Sequence, residues 1–354
     1  MSKATNEKKY SGYYSLKGYG RPLDSFIYNQ RKVFNAPWFQ GNREKENYFE
    51  GWYFKNVSAD GRHVWSFIPG ISLVKDNAHA FIQAINGQTG ETYYYRYPLE
   101  EFSFSPDSFE ICVGKSYFSE NMMLLDLDDG KNQFKGELRF DNITSYPSWY
   151  KRPGIMGWYR YMPFMECYHG VVSLDHAIRG NLTHNGQMMI FEGGRGYIEK
   201  DWGSSMPMAW VWMQTNHFEN PGTSFMLSVA RIPWIRNTFT GFLGFFLHEG
   251  KIISFATYTG AKITDLKYTG TEVQISIKGE KYVINIHAIK SKRQGQKPGG
   301  LKAPVLGNME RTIHESIDAT IKLQILDKAG NAIFTDTGKH AGFEMVGDLK
   351  LLTQ

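Results

Sequence analysis

The sequence predicts an all-β protein, two antiparallel β-barrels joined by an aromatic crossover. Three observations carry that expectation. Phe, Tyr and Trp make up 15% of the 354 residues, and aromatic side chains favour strands. Short apolar runs alternate with Asp-Gly and Asn-Gly pairs, the two-residue signature of tight hairpins. The first half of the chain shows no 3.6-residue periodicity of the kind an amphipathic helix needs. An apolar fraction of 42% and a charged fraction of 21% fit a globular chain with a sizeable core. The length accommodates two ordinary domains or one large β unit.

Residues 1–46 are polar, rich in Tyr and Gly and without a period, and read as an irregular N-terminal segment. The first barrel is expected over 47–145. It opens with YFEGWYFKNV, an Ala59-Asp60-Gly61 turn and RHVWSFIPGISLV, then AHAFIQAI, Asn86-Gly87 and TYYYRYPL. FEICVGKSYFS, MMLLDLDDG and NQFKGELRFDNI continue the meander. Residues 146–164 (YPSWYKRPGIMGWYRYMPF) break the pattern with three prolines and many aromatics, and read as a crossover packed on one or both units. The second barrel is expected over 165–354. It begins with a long hairpin at Asn185-Gly186, followed by runs at Trp210–Phe218, Ser224–Ile232, Thr238–Leu247, Ile252–Thr259, Val273–Ile277 and Tyr282–Ile289. A last hairpin, Arg311–Leu326 with Asn331–Gly347, turns at Asp327–Gly330, and IDATIKLQIL alternates with period 2. Closure into barrels would deal with the edge strands.

Composition removes several functional classes. A net charge of +5 is mildly basic. The basic residues of Lys290–Lys302 have no aromatics among them, so a nucleic-acid platform is not expected. That stretch reads as a solvated loop, with weak peripheral contact to an anionic membrane surface as the sharper alternative. Cys112 and Cys167 form neither a disulfide framework nor a zinc pattern. The polar start lacks the apolar core of a signal peptide, and no apolar run approaches the roughly 18–20 residues that span a bilayer. A cytoplasmic protein is the expectation. GxGxxG before a helix, Walker A, HExxH and GxSxG are all missing. His169, His176 and His184 share a strand region, but His169 is out of phase with the others, so no metal site is expected from them.

Carboxylates beside aromatics are the better lead. On a strand, Glu50 shares a side with Trp52, and Glu199 shares one with Asp201, just before Trp202. Trp210, Trp212, Gln214 and Asn216 would share another, opposite Val211, Met213 and Thr215. Two amides beside two indoles suit a lined pocket, because buried amides need partners. Glu166 and Glu344 read better as structural carboxylates. An acid in an apolar, water-poor pocket has its pKa raised and can serve as a general acid at neutral pH.

FEGWYFKN, FMECYHGVVSLDH, GYIEKDWGSSMP, WVWMQTNHF and AGFEMVGD, in that order from about Tyr48 to Gly347, resemble the tocopherol cyclase family. That family is similar to a calycin-like group that includes carotenoid hydratases and lipocalin-like Diels–Alderases. The resemblance implies two lipocalin-like barrels with an apolar pocket, and closure of a chromanol ring on a prenylated hydroquinone. Protonation of a trisubstituted alkene would give a tertiary cation that the phenol oxygen captures. The reaction needs an acid kept protonated, aromatic faces worth about 0.5–2 kcal/mol each to a cation, and groups that orient the phenol. On this reading Asp201 or Glu199 is the acid, with Glu50 in reserve. Trp52, Trp202, Trp210 and Trp212 wall the cation, and Gln214, Asn216 and His169 hold the ring oxygens. Proton-driven closure requires no cofactor, and the expected partner is an apolar prenylated small molecule. The competing readings are a non-catalytic calycin-type lipid or isoprenoid carrier and an aromatic platform for carbohydrate.

Overall fold

Strand Tyr48–Val57 sets the layering of the molecule. Trp52 and Phe54 enter one apolar core, while Tyr53 and Val57 enter another on the opposite face. A strand buried on both faces reads as a near-continuous apolar run, as YFEGWYFKNV does. The computed structural model describes residues 14–15, 29–41, 45–163, 165–234, 237–291 and 299–353. Within the expected irregular N-terminal segment, residues 29–34 form a helical turn; most of that segment lies outside the described residues.

The strands form two large antiparallel sheets, one of 13 strands and one of 10. The first curls almost closed into a lipocalin-like barrel around Trp52, Phe67, Phe118, Phe134 and Trp202. The second encloses Val211, Met213, Phe225, Ile321 and Phe343. A third apolar layer, with Tyr53, Tyr197, Trp210, Trp212, Phe245 and Ile317, fills the space between the outer faces of the two sheets. The all-β expectation therefore holds.

The division of the chain between the sheets differs from the expected one. Strands Cys167–His184, Gln187–Ile190 and Gly194–Gly203, expected in the second unit, pair into the first sheet. Cys167–His184 lies directly against Gln133–Ser145, with Phe134 opposite His184. Residues 146–163 thus lie in a long loop between neighbouring antiparallel strands, and the change of sheet falls between Gly203 and Trp210. The loop looked like a boundary because it lacks a period, yet its aromatics are anchored. Tyr159 meets Trp234 and Tyr258 edge-on at 6.1 Å, and Tyr146 bonds Ser254 at 2.8 Å. Besides the short Tyr14–Ser15 and Phe102–Phe104, two longer strands were not expected, Lys262–Tyr268 and Gly299–Val305. The last of these includes the end of the expected basic loop, whose residues 292–298 lie outside the described set. No helix among the described residues is long and apolar enough to cross a membrane.

Candidate active site

Three adjacent strands of the first sheet build one wall. In register, Gly51 lies opposite Asp201 and Asp201 opposite His169; Tyr53 lies opposite Glu199 and Glu199 opposite Val171. Strand alternation then points Tyr53, Glu199, Asp201 and His169 to the same side. The second sheet brings the facing wall. Trp212 lies opposite Glu344 and Glu344 opposite Glu315 on three neighbouring strands. Between the walls is a cavity of about 180 Å³, completed by apolar side chains such as Phe49, Met156, Leu243 and Ile313.

The first wall carries a charged cluster. His169 Nδ1 lies 2.8 Å from Asp201 Oδ1, and its Nε2 lies 3.3 Å from Glu199 Oε2. Tyr197 Oη donates to Glu199 Oε2 at 2.6 Å, and Trp212 Nε1 donates to the same oxygen at 3.3 Å. Burial alone would lower the His169 pKa, but the two flanking carboxylates outweigh it and hold the imidazole up to about 10. His169 is therefore an imidazolium at neutral pH. One ligand atom from each of His169, Glu199 and Asp201 lies within 4.8 Å of the others, so the three could hold a metal ion.

The facing wall carries acids of the opposite kind. Burial, with the nearby Glu199 and Asp201 charges, pushes the Glu344 carboxyl up to about 7, against the pull of the Trp210 indole N–H that donates to it. Burial also raises Glu315 well above the usual carboxylate range, with the Glu344 charge adding to it. Tyr53 Oη donates to Glu315 Oε1 at 2.6 Å, while Glu315 Oε2 is buried without a partner. Desolvation lifts the Tyr53 and Tyr197 phenols too, so both remain hydrogen-bond donors.

The structure brings Glu199, Asp201, His169, Trp210 and Trp212 together around the cavity and leaves Glu50, Trp52, Trp202, Gln214 and Asn216 outside it. Glu50 projects from the far face of its strand and is saturated. It accepts from Gln40 N at 2.8 Å and Gly41 N at 3.0 Å, and it pairs with the Lys200 ammonium. Trp52 and Trp202 share that far side and clasp Lys200, whose Nζ lies 4.3 and 4.9 Å from their ring centres. Gln214 is on the indole side of its strand but deeper, where its Oε1 takes Lys55 Nζ at 2.7 Å. Asn216 lies deeper still and donates to Asp175 Oδ1 at 2.9 Å. His176 bonds Ser173 Oγ and His184 stacks on Phe134, so neither joins His169. Glu344, read from sequence as structural, lines the cavity, and Tyr53 and Glu315 were missed. The odd-numbered phase of FEGWYFKN could have pointed to Tyr53.

The family model described as tocopherol cyclase-like matches residues 126–347. The chain belongs to this family. A probable chloroplastic tocopherol cyclase of Oryza sativa subsp. japonica is 21% identical, over 85% of this chain and 75% of that protein. A chloroplastic tocopherol cyclase of Zea mays is 24% identical, over 56% of this chain and 43% of that protein. Both relatives are chloroplastic, so the cytoplasmic location expected from the N-terminus draws no support from them. The solved structure of CghA overlays with a TM-score of 0.51 at 8% identity, over 85% of this chain and 89% of that one. At that identity the likeness is one of fold, here that of a lipocalin-like family member.

Proposed function

We propose that this member of the tocopherol cyclase-like family closes a ring on a prenylated hydroquinone by proton-initiated cyclisation. One observation carries the reading: a half-buried carboxylic acid and a histidine-bound carboxylate pair face one another across an apolar cavity that also holds two indoles. Glu344, neutral below pH 7, gives its proton to the alkene carbon. The tertiary cation forms beside Trp210 and Trp212, whose faces are worth about 0.5–2 kcal/mol each to it. The phenol oxygen, held by donating its O–H to the Asp201 or Glu199 carboxylate, captures the cation. Its proton passes to Asp201 or Glu199. One carboxyl has lost a proton and another has gained one, so exchange with water restores the site.

This moves the acid from Asp201 or Glu199 to Glu344 and makes the former pair the acceptors of the phenol proton. Pairing with an imidazolium suits a carboxylate that accepts a proton better than one that donates. The test is incubation with prenylated hydroquinones of several tail lengths in deuterated water. A cyclic product with deuterium at the former alkene carbon is expected; no such product at any tail length would remove the proposal. Lipid that survives purification unchanged, and is retained equally by Glu344→Gln and Asp201→Asn variants, would instead mark a carrier.

A further inference from the structure

The loop between Gln133–Ser145 and Cys167–His184 has two faces. Inward, Met156 and Tyr159 line the cavity. Outward, Trp149, Tyr150, Trp158 and Tyr161 are exposed by 44%, 69%, 43% and 43%, and Phe34 joins them 6.5 Å from Tyr161. The patch is held together rather than scattered. Tyr161 Oη donates to the Tyr150 carbonyl, and Ser148 Oγ donates to the Phe34 carbonyl at 2.9 Å. Trp158 stacks on the cavity-lining Tyr159 with ring centres 4.1 Å apart. Exposed apolar residues are ordinary one at a time, but a contiguous aromatic set marks an interaction surface.

Charge selects the partner. Residues 146–163 contain Lys151, Arg152 and Arg160 and no acid. Lys151 is exposed beside Tyr150, and Arg152 lies 6.0 Å from the Trp149 ring centre. Glu120, bonded to Ser145, only borders the patch. Indoles and phenols have an apolar body and a polar tip, which suits the headgroup level of a bilayer. Arg152 is half-buried and Arg160 turns inward to Gln40 and Trp202, so it is the exposed Lys151 among the rings that favours anionic lipid. We infer that the surface over residues 149–161 docks the protein on an anionic lipid bilayer. The cavity wall formed by Met156 and Tyr159 then lies directly beneath that contact, next to the phase in which an apolar molecule resides. The docking needs neither Glu344 nor a cyclisable substrate, so it stands or falls apart from the proposed reaction.

The experiment is co-sedimentation of the full chain with vesicles of phosphatidylcholine alone or mixed one-to-one with phosphatidylglycerol. Binding to the mixed vesicles, weakened by salt, is expected. A variant carrying Trp149→Ala, Tyr150→Ala and Lys151→Glu should lose at least about tenfold in partitioning. It should keep the thermal transition of the parent. If the triple variant fails to fold, Lys151→Glu alone, read at low salt, should show a smaller loss in the same direction. Equal binding by parent and variant overturns the inference, as does no binding by the parent. A parent dimer in sedimentation velocity that the variant disperses, without vesicle binding, would assign the patch to a second copy of the chain and overturn it too.

Discussion

At the scale of single residues, His169 and Glu344 show how environment assigns roles. His169 is as buried as many neutral histidines, yet two carboxylates keep it charged up to a pKa of about 10. Asp201→Asn removes one of them, so the His169 titration is expected to move down, as ring-nitrogen NMR would show; an unmoved titration would break the assignment. Glu344→Gln keeps an acceptor for the Trp210 indole but has no acidic proton. A loss of roughly 10²–10⁴-fold in kcat is expected, the usual worth of a general acid. In the parent, the active form of Glu344 is the protonated one, so kcat should fall as pH rises through about 7. A rate that rises through that range would exclude Glu344 as the donor. Glu50 belongs to stability instead. Glu50→Gln strands the Lys200 ammonium, buried with it at 0% exposure, and removing one partner of a buried pair typically costs about 3–5 kcal/mol. Denaturant unfolding should register that loss, while the folded enzyme keeps a kcat near that of the parent.

At the scale of the element, Gly342 on strand Ala332–Val346 shows how a missing side chain shapes the cavity. A Cβ there would sit 2.5 Å from the Trp212 ring and 3.4 Å from Glu315 Oε1. Gly342→Ala therefore has to displace the indole, an overpacking that costs about 1–3 kcal/mol. A fall in kcat/KM with a changed tryptophan emission is expected; unchanged kinetics would mean that the indole does not wall the reaction. Strands also explain what was legible beforehand. Alternation put Trp210 and Trp212 on one side and Val211 and Met213 on the other, and it paired Glu199 with Asp201. It could not tell which face of Tyr48–Val57 meets the cavity, because both faces are buried and no polarity difference marks either. So Glu50 was favoured and Tyr53 overlooked. Nor could it give depth: Gln214 and Asn216 lie on the expected side but below the cavity floor. Glu315 and Glu344 meet through a pairing interrupted by register shifts, which no local pattern encodes.

At the scale of the whole molecule, polar bonds cross from sheet to sheet beneath the cavity. Tyr53 reaches Glu315, Lys55 reaches Gln214, and Asn216 reaches Asp175 and the Gly196 carbonyl. Lys55 is the sharpest probe of this layer. Burial pulls its pKa down to about 7, although the charges of Glu315 and Glu199 resist. Between pH 7 and the ordinary lysine value of 10.5 the unfolded chain holds a proton on Lys55 that the folded chain has released, so this group makes folding more favourable as pH rises. His169 acts in the opposite sense, since its raised pKa means stability lost as pH climbs toward 10, and the parent curve alone would blur the two. Comparison with Lys55→Met separates them, because the His169 contribution is common to the two proteins. Above pH 7 the parent should gain on the variant by about 1.4 kcal/mol per pH unit, one proton's worth. Below pH 7 the gap should be constant. Parallel stability curves across the whole range would mean that Lys55 keeps its proton in the fold, and that the layer joining the sheets is wetter than its burial implies.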